Sequence, residues 1–238
     1  MSNERNAGLA VVTGASGGIG LAIAQRLLQA GWRVAGLDIG PAAVQDAAYR
    51  HVTVDLCDAD ATGAALQMLK ADGALVDALV HAAGILRVGP LAQLDPLDGE
   101  RMWKLHVDVA VRLAQVLAPE MATRGAGRVV LVGSRVAQGM PGRSQYAASK
   151  AALVALARSW AAELAPQGVT VNVVSPAATQ TGMLQDPARA ASAPRLPPIG
   201  RLIQPEEIAA LVQFLLSPEA AAITGQDIAI CGGASLPR

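Results

Sequence analysis

The chain has 238 residues, of which 52% are hydrophobic and 16% are charged, with 19 Lys+Arg balanced by 19 Asp+Glu. This length is enough to bury one substantial core, and it favours a single α/β domain over two small ones. The zero net charge argues against a nucleic-acid partner, because a phosphate-binding surface normally shows as a basic excess.

Short apolar runs alternate along the chain with Ala/Leu-rich stretches of helical spacing. The runs lack polar alternation, as expected of strands covered on both faces. They predict strands at residues 9–12, 33–37, 52–54, 75–80, 128–132, 169–174 and 227–230. The stretches between them predict helices at residues 18–30, 59–70, 99–121, 145–165 and 205–216. This alternation predicts an α/β fold with one domain over residues 1–238, in which helices cover both faces of a doubly wound parallel sheet of about seven strands.

One connection differs from the others. Residues 180–199 are irregular in pattern and hold four prolines. The stretch is longer than most connections, so it is either a loop that covers the substrate or an ordered surface loop.

Neither the cysteines nor the N-terminal stretch indicates secretion. Cys57 and Cys231 show neither disulfide-framework nor zinc-site spacing, so no metal is predicted. The uncharged residues 6–25 are interrupted by glycines, and Glu4 lies where a leader peptide would be positive. We therefore expect a cytoplasmic protein without a membrane segment. Its low charge and positive mean hydropathy indicate either that other subunits cover part of the surface or only that the chain is rich in alanine.

A glycine-rich segment at residues 13–20 follows the first strand and opens the first helix. Gly14 permits a tight turn, Gly18 permits close approach of a ligand, and Gly20 permits close packing of helix on strand. The N–H groups left free at the helix N-terminus suit a pyrophosphate. The segment therefore predicts a dinucleotide site.

The second strand ends at Asp38, 18 residues beyond Gly20. A carboxylate there can accept hydrogen bonds from the adenosine ribose hydroxyls and repels a 2′-phosphate, so NAD is favoured over NADP. The alternative is an exposed turn residue before Gly40 and Pro41. Asp55, at the end of the third strand, is a second polar group on the cofactor rim.

Tyr146 and Lys150 are four residues apart and so share one face of a predicted helix. A phenolate that is useful near pH 8 needs a pKa drop of roughly 2 units, or about 3 kcal/mol. A cation about 4 Å away supplies on the order of 4 kcal/mol at an effective dielectric of 20. Lys150 can therefore activate Tyr146 without a metal. Ser134 ends the fifth strand, where its hydroxyl can orient a substrate oxygen.

These motifs, in this order, resemble the short-chain dehydrogenase/reductase family over essentially the whole chain. The resemblance implies a Rossmann fold in which Tyr146 is the acid/base, Lys150 holds the nicotinamide ribose and lowers the tyrosine pKa, and Ser134 positions the substrate. It also implies a homotetramer. Besides Tyr146 and Lys150, which the resemblance also implies as cofactor contacts, the matching residues at the cofactor are Gly14, Ser16, Gly18, Ile19, Gly20, Asp38, Asp55, Ala83, Gly84 and Thr181.

Two residues depart from the family pattern. Asp108 aligns with the family's catalytic asparagine, and its charge would oppose phenolate formation. We expect it to be protonated or bridged by water, with a shifted pH optimum as the result. His81 replaces the first asparagine of an Asn-Ala-Ala-Gly segment, and we interpret it as a structural histidine rather than a proton-transfer group.

The segments 76–89, 172–183 and 223–228 are similar to the branch of the family that oxidises 2,3-dihydro-2,3-dihydroxybenzoate with NAD in catechol siderophore biosynthesis. This resemblance implies a small anionic substrate. Arg87, just after the fourth strand, is the first candidate to bind its carboxylate, unless it is only a surface arginine. Arg135 and Arg143 flank the loop between Ser134 and Tyr146.

Other functions stay open at this point. The chain could be a different short-chain alcohol dehydrogenase, a dehydrogenase of a related dihydroaromatic acid, or a 3-oxoacyl-thioester reductase, against which Asp38 weighs. A protein of another class, which senses NAD without turnover, is also compatible with the aspartate at position 108.

Overall fold

A computed structural model describes residues 7–71, 73–185 and 195–236. Its centre is one sheet of seven parallel strands in the order β3-β2-β1-β4-β5-β6-β7. The strands are β1 Ala7–Thr13, β2 Trp32–Asp38, β3 Tyr49–Thr53, β4 Val76–His81, β5 Gly127–Val132, β6 Val169–Pro176 and β7 Asp227–Ile230. The predicted single-domain α/β fold is confirmed.

Six α-helices connect the strands in the described part of the chain. They are α1 Gly18–Gln29, α2 Ala59–Ala71, α3 Pro96–Trp103, α4 Val109–Thr123, α5 Ser144–Leu164 and α6 Pro205–Leu216. Four of the five predicted helices are found within a residue or two of their predicted ends. None of the helices in the described ranges is both long and apolar enough to cross a bilayer.

Each face of the sheet carries its own core. Ala10 and Val12 of β1 face α1 and α6, whereas Leu9 and Val11 face the layer of α2, α4 and α5. This alternation follows from the two-residue period of a strand, and it explains why both sets of side chains are apolar. The same burial pattern extends through β6, where all eight residues are buried.

The predicted helix at residues 99–121 is broken in the structure. Its first part, α3, begins at Pro96. The preceding residue, Asp95, is the N-cap, and its side chain accepts the Leu97 N–H at 2.9 Å. A π-helical turn, Lys104–Asp108, then separates α3 from α4. Such turns insert an extra residue and shift the helical phase, and they often lie at functional sites.

The strand order reverses between β1 and β4, since β2 and β3 lie on one side of β1 and β4 to β7 on the other. In open parallel sheets, ligands bind beyond the carboxyl ends of the strands at such a reversal. The loops after β1, β4, β5 and β6 all leave the sheet at this edge.

Candidate active site

A cavity of about 1310 Å³ opens at this carboxyl edge. Ligand pockets commonly measure roughly 300–1,000 Å³, so there is room for a dinucleotide together with a small second molecule. The predicted residues that line the cavity are Gly14, Ser16, Gly18, Ile19, Gly20, Asp38, Asp55, Ala83, Gly84, Ser134, Tyr146, Lys150 and Thr181. Arg87 and Asp108, both among the described residues, are not part of the lining.

The glycine-rich turn has the shape that a pyrophosphate requires. Gly14 has a φ of 70°, and a Cβ there would lie 3.0 Å from the backbone of Ala83. A Cβ on Gly20 would collide with the Gly14 carbonyl, whereas one on Gly17 would enter open space. No side chain in the described chain caps the first turn of α1, so its N–H groups face the cavity. These residues fit a dinucleotide.

Asp38 is held in place at the end of β2. One carboxylate oxygen accepts the Ser16 N–H at 3.0 Å and the other accepts the Gly40 N–H at 2.8 Å. A carboxylate has about four acceptor positions, so two remain for ribose hydroxyls. Asp55 is exposed at the rim of the same cavity, at the position predicted for it.

Ser134, Tyr146 and Lys150 come together although they belong to two elements. Ser134 follows β5 and accepts the Val136 N–H at 3.2 Å, which leaves its own O–H proton to donate. Tyr146 and Lys150 lie on the buried face of α5, one turn apart, with the Lys150 Nζ 5.8 Å from the centroid of the Tyr146 ring. All three side chains are at most 9% exposed.

Lys150 is buried without a counter-charge. Its Nζ donates to the Val132 carbonyl at 2.8 Å, and no carboxylate among the described residues pairs with it. Burial lowers the pKa of Lys150 to about 7. A negative charge that forms nearby favours the ammonium form again, because opposite charges stabilise each other.

The structure corrects the assignment of Asp108. Asp108 is exposed and lies toward Cys57, whose pKa is raised by burial and further by Asp55 and Asp108. Two residues earlier, His106 is fully buried, and its ring meets the Tyr146 ring edge-on at a centroid distance of 5.6 Å. Residues two apart on a helix point to nearly opposite faces, so only one of the pair can face the cavity. The expected pH effect of Asp108 therefore has no structural basis.

A signal for His106 was present in the sequence. Met102, His106, Val109 and Leu113 follow one another at intervals of four, three and four, and each has 0% exposure. This is the spacing of one buried helix face. The spacing places His106 inside the protein and Asp108 outside it.

His81, at the end of β4, is buried and fully hydrogen-bonded. Thr13 Oγ1 accepts the N–H groups of Ala82 and Ala83, so its own proton is donated to His81 Nδ1 at 2.9 Å. His81 Nε2 then donates to the Leu105 carbonyl in the π-helical turn at 3.2 Å. Burial, together with the charge of Lys150, lowers the pKa of His81 to about 3. This neutral, doubly engaged imidazole agrees with a structural role.

The structure does not bring Arg87 to the cavity. Its Nε lies 3.7 Å from a carboxylate oxygen of Asp98 on α3, and its NH1 donates to the Leu86 carbonyl. Its place after β4 indicated the correct edge of the sheet, but the side chain lies beside Asp98 and outside the cavity lining. The cavity is instead lined by three other arginines, Arg135, Arg143 and Arg195.

Apolar residues from distant parts of the chain form the wall beside these arginines. They are Leu86, Val136, Met140, Met183, Leu196, Ala234 and Leu236. The C-terminal segment is held against residues 197–199, since the Ile199 N–H donates to the Gly232 carbonyl at 3.1 Å. Sequence reasoning missed this wall, because nothing in the pattern of the C-terminal residues indicates where they pack. Of the predicted covering loop at residues 180–199, residues 186–194 lie outside the described residues.

Comparison with known proteins places this geometry in a family. A family model described as enoyl-(acyl carrier protein) reductase matches residues 14–235. The chain is 38% identical over 240 residues to the 2,3-dihydro-2,3-dihydroxybenzoate dehydrogenase of Escherichia coli (strain K12), covering 94% of this chain and 96% of that enzyme. It is 36% identical over 235 residues, with the same two coverages, to the 3-oxoacyl-[acyl-carrier-protein] reductase of Vibrio harveyi. The chain belongs to the short-chain dehydrogenase/reductase family.

A solved structure agrees with this assignment. The short-chain dehydrogenase/reductase fold of this chain superposes on the ligand-free aldohexose dehydrogenase of Thermoplasma acidophilum with a TM-score of 0.89 and 28% identity, covering 98% of this chain and 96% of that one. As a short-chain dehydrogenase/reductase, the protein is an oxidoreductase whose fold binds a nicotinamide cofactor. The glycine-rich turn, Asp38 and the Tyr146–Lys150 pair are the parts of the structure that suit this cofactor.

Proposed function

We propose that the chain is an NAD-dependent dehydrogenase of a cyclic secondary alcohol that carries an anionic group, with 2,3-dihydro-2,3-dihydroxybenzoate as the first candidate substrate. The observation that carries the proposal is the single cavity shared by the glycine-rich turn and by Ser134, Tyr146 and Lys150. A phenol, a hydroxyl and an amine thereby surround the place where a carbinol would meet a nicotinamide.

The residues of the chain account for the proton in this reaction. Ser134 donates its O–H to the substrate oxygen and so holds the carbinol in place. Tyr146, as phenolate, takes the hydroxyl proton, and the Lys150 ammonium stabilises the phenolate. The bound nicotinamide supplies the hydride acceptor. Its ribose would lie against Lys150, and Thr181 would contact its carboxamide from beside Gly18, where a Cβ would lie 3.3 Å from Thr181 Cγ2.

The charges at the adenosine end favour NAD. Asp38 presents a carboxylate where the 2′-hydroxyl of the adenosine ribose would bind, and Asp55 lies on the same rim. Among the described residues that line this end, none is a lysine or an arginine. A 2′-phosphate would therefore meet negative charge without a compensating cation.

The opposite end of the cavity suits a small anion on an apolar body. Arg135, Arg143 and Arg195 provide positive charge, and a guanidinium pairs well with a carboxylate. The apolar wall beside them offers a surface for a ring. The similarity to a dihydrodihydroxybenzoate dehydrogenase supports this substrate class and, with it, a place in catechol siderophore biosynthesis.

The test is NADH formation from 2,3-dihydro-2,3-dihydroxybenzoate, compared with the matched neutral diol that lacks the carboxylate. We expect kcat/KM to be at least about 10-fold higher for the acid than for the neutral diol. We also expect it to be at least about 10-fold higher with NAD than with NADP. Equal turnover of the acid and the neutral diol would contradict the anion site. Tight NADH binding without turnover of any alcohol would instead indicate a sensor of NAD.

A second candidate is reduction of a 3-oxoacyl thioester. It is favoured by the 36% identity to a 3-oxoacyl-[acyl-carrier-protein] reductase. Acetoacetyl thioester reduction, followed with NADH and NADPH in parallel, separates the two functions. A rate that exceeds oxidation of the dihydrodiol acid would establish the second candidate.

We also propose assembly as a homotetramer. Two large apolar side chains on different helices, Trp103 on α3 and Phe214 on α6, are each 45% exposed. Large exposed aromatic residues favour contact with another subunit. Light scattering during size-exclusion chromatography measures the mass of the assembly. A mass equal to one chain at micromolar concentration would contradict this proposal.

A further inference from the structure

His106 packs against the ring of Tyr146, yet the proton transfer described above does not use it. It stands in the π-helical turn Lys104–Asp108, with 0% of its surface exposed. Its ring is nearly perpendicular to the Tyr146 ring, at an interplanar angle of 86°. A Cβ on Gly84 would lie 3.1 Å from His106 Nε2 and 3.5 Å from Lys150 Nζ, so these groups surround the same point.

The partners of His106 fix its tautomer. The Ile85 N–H donates to His106 Nε2 at 3.1 Å, so this nitrogen carries a lone pair. Ser149 Oγ donates its single proton to the Tyr146 carbonyl at 2.9 Å. The 2.9 Å contact between His106 Nδ1 and Ser149 Oγ therefore requires that Nδ1 donates. His106 is assigned as the neutral Nδ1–H form, the opposite tautomer to that of His81.

The surroundings of His106 keep it neutral. Burial holds the pKa of His106 well below its usual range, and the charge of Lys150 acts in the same direction. Both ring nitrogens are already engaged by protein groups. An imidazole in this state neither accepts nor releases a proton during turnover, so its contribution is to geometry.

We propose that His106, as the Nδ1–H tautomer, is a positioning residue that holds Tyr146 in register with Lys150. It acts through two contacts: its ring packs perpendicular to the phenol ring and fixes the orientation of the phenol, and its bond to Ser149 ties α5 to the π-helical turn. Its Nε2 also holds Ile85, beside the cavity wall at Gly84. The inference rests on the proposed function, in which Tyr146 moves the proton.

Two amide variants separate the two hydrogen bonds of His106, and both remove its ring contact with Tyr146. In His106→Asn the amide nitrogen falls near the place of Nδ1 and preserves the donor to Ser149, whereas the acceptor for Ile85 is lost. In His106→Gln the amide oxygen reaches the place of Nε2 and preserves that acceptor, whereas the donor to Ser149 is lost. The readouts are kcat and KM across a range of pH, and the Kd for NADH from nicotinamide fluorescence.

For His106→Gln we expect kcat to fall about 10- to 100-fold, because a misplacement of about 1 Å at a reacting group has this effect. We also expect the rising limb of kcat against pH to move to higher pH. The displaced phenol is stabilised less by the Lys150 ammonium, so its pKa rises. His106→Asn, which loses the ring contact with Tyr146 but keeps the donor to Ser149, should lose less, about 3- to 10-fold in kcat, and should move the pH limb less. The Kd for NADH should change less than about twofold in both variants. Equal losses in the two variants, without movement of the pH limb, would overturn the proposal.

Ser149→Ala tests the same bond in a chain whose imidazole is intact. It should reproduce the lower kcat and the displaced pH limb, and the double variant with His106→Gln should lose little more, because both changes remove one interaction. His81→Asn is the matched control, a buried histidine whose two ring nitrogens are engaged by Thr13 and Leu105. It should lower the unfolding temperature and leave the pH limb in place. Movement of that limb in His81→Asn would contradict a role specific to His106.

A measurement independent of turnover completes the test. Nitrogen-15 spectra of the imidazoles, assigned by comparison with His106→Gln, should show a protonated Nδ1 and a bare Nε2 at residue 106 from pH 6 to pH 8. A charged ring or a protonated Nε2 would overturn the inference whatever the activity. If the parent protein oxidised no alcohol and these spectra were still as expected, the proposed function would fail and the tautomer assignment would stand.

Discussion

The two ends of the cavity are built in different ways. At the nucleotide end, the contacts come from backbone N–H groups and from glycines in one stretch of chain, and Asp38 is itself held by two N–H groups. At the catalytic end, side chains from β5, the π-helical turn, α5 and the C-terminal segment meet one another. The first end depends on local backbone conformation and the second on packing between elements. Substitutions should therefore separate cleanly into effects on cofactor choice and effects on turnover.

The largest expected effect lies at the catalytic end. Tyr146→Phe removes the acid/base and should lower kcat by about 10²- to 10⁴-fold, the usual contribution of such a group. The Kd for NADH should stay unchanged, because the nucleotide end is untouched. Steady-state rates and fluorescence titration measure the two quantities. A kcat within tenfold of the parent would break the division between the two ends.

At the nucleotide end, Asp38→Asn removes the charge and keeps an acceptor for one of the two N–H groups. We expect the preference for NAD over NADP, measured as the ratio of kcat/KM values, to fall about 10- to 100-fold, since like charges placed together cost several kcal/mol. The kcat with saturating NAD should change little. An unaltered ratio would show that the preference does not depend on this carboxylate.

The arginines allow a sharper comparison within the catalytic end. Arg143→Ala should raise the KM for the anionic substrate about 10-fold and leave the KM of the neutral diol almost unchanged. Arg87→Ala is the matched control, because this arginine pairs with Asp98 outside the cavity lining. Its KM values should stay within about twofold. A larger rise in the KM for the anionic substrate in Arg87→Ala than in Arg143→Ala would identify Arg87 as the anion site.

Lys150→Met should uncouple stability from activity. Because burial lowers the folded-state pKa of Lys150 to about 7, the unfolded chain binds more protons above that pH. The cost of burying the Lys150 ammonium, which destabilises the folded protein, is therefore largest below pH 7. It disappears above the pKa of the unfolded chain, near 10.5. The variant should therefore unfold at a temperature higher by about 2–4 °C per kcal/mol at pH 7, with a smaller gain at pH 10. Calorimetry at both pH values tests this, and a gain that grew with pH would contradict it.

The smallest effect is expected at Asp108. It is exposed and lies outside the cavity lining, so Asp108→Asn should leave kcat and its pH profile within about twofold of the parent. A change larger than tenfold would place this carboxylate in the proton path after all.

The sequence was sufficient to predict those site residues whose positions depend only on neighbours in the same element. The glycine-rich turn, the end of β2 at Asp38 and the helical pair Tyr146 and Lys150 depend on spacing within one element, and all lie where predicted. Asp108 and Arg87 lie outside the cavity lining. For Asp108 the signal was local, because the spacing of Met102, His106 and Val109 places His106 on the buried face instead. For Arg87 it was not, because its ion pair with Asp98 joins residues of different elements. The arginine at position 195 and the C-terminal wall depend on tertiary packing that no periodicity encodes.

The C-terminal wall has a practical consequence for handling this protein. Ala234 and Leu236 line the cavity in a segment that a backbone hydrogen bond from Ile199 to Gly232 holds in place. A bulky group attached directly behind Leu236 would therefore stand beside the reaction chamber and obstruct entry. Affinity handles for kinetic work belong ahead of β1, away from this wall.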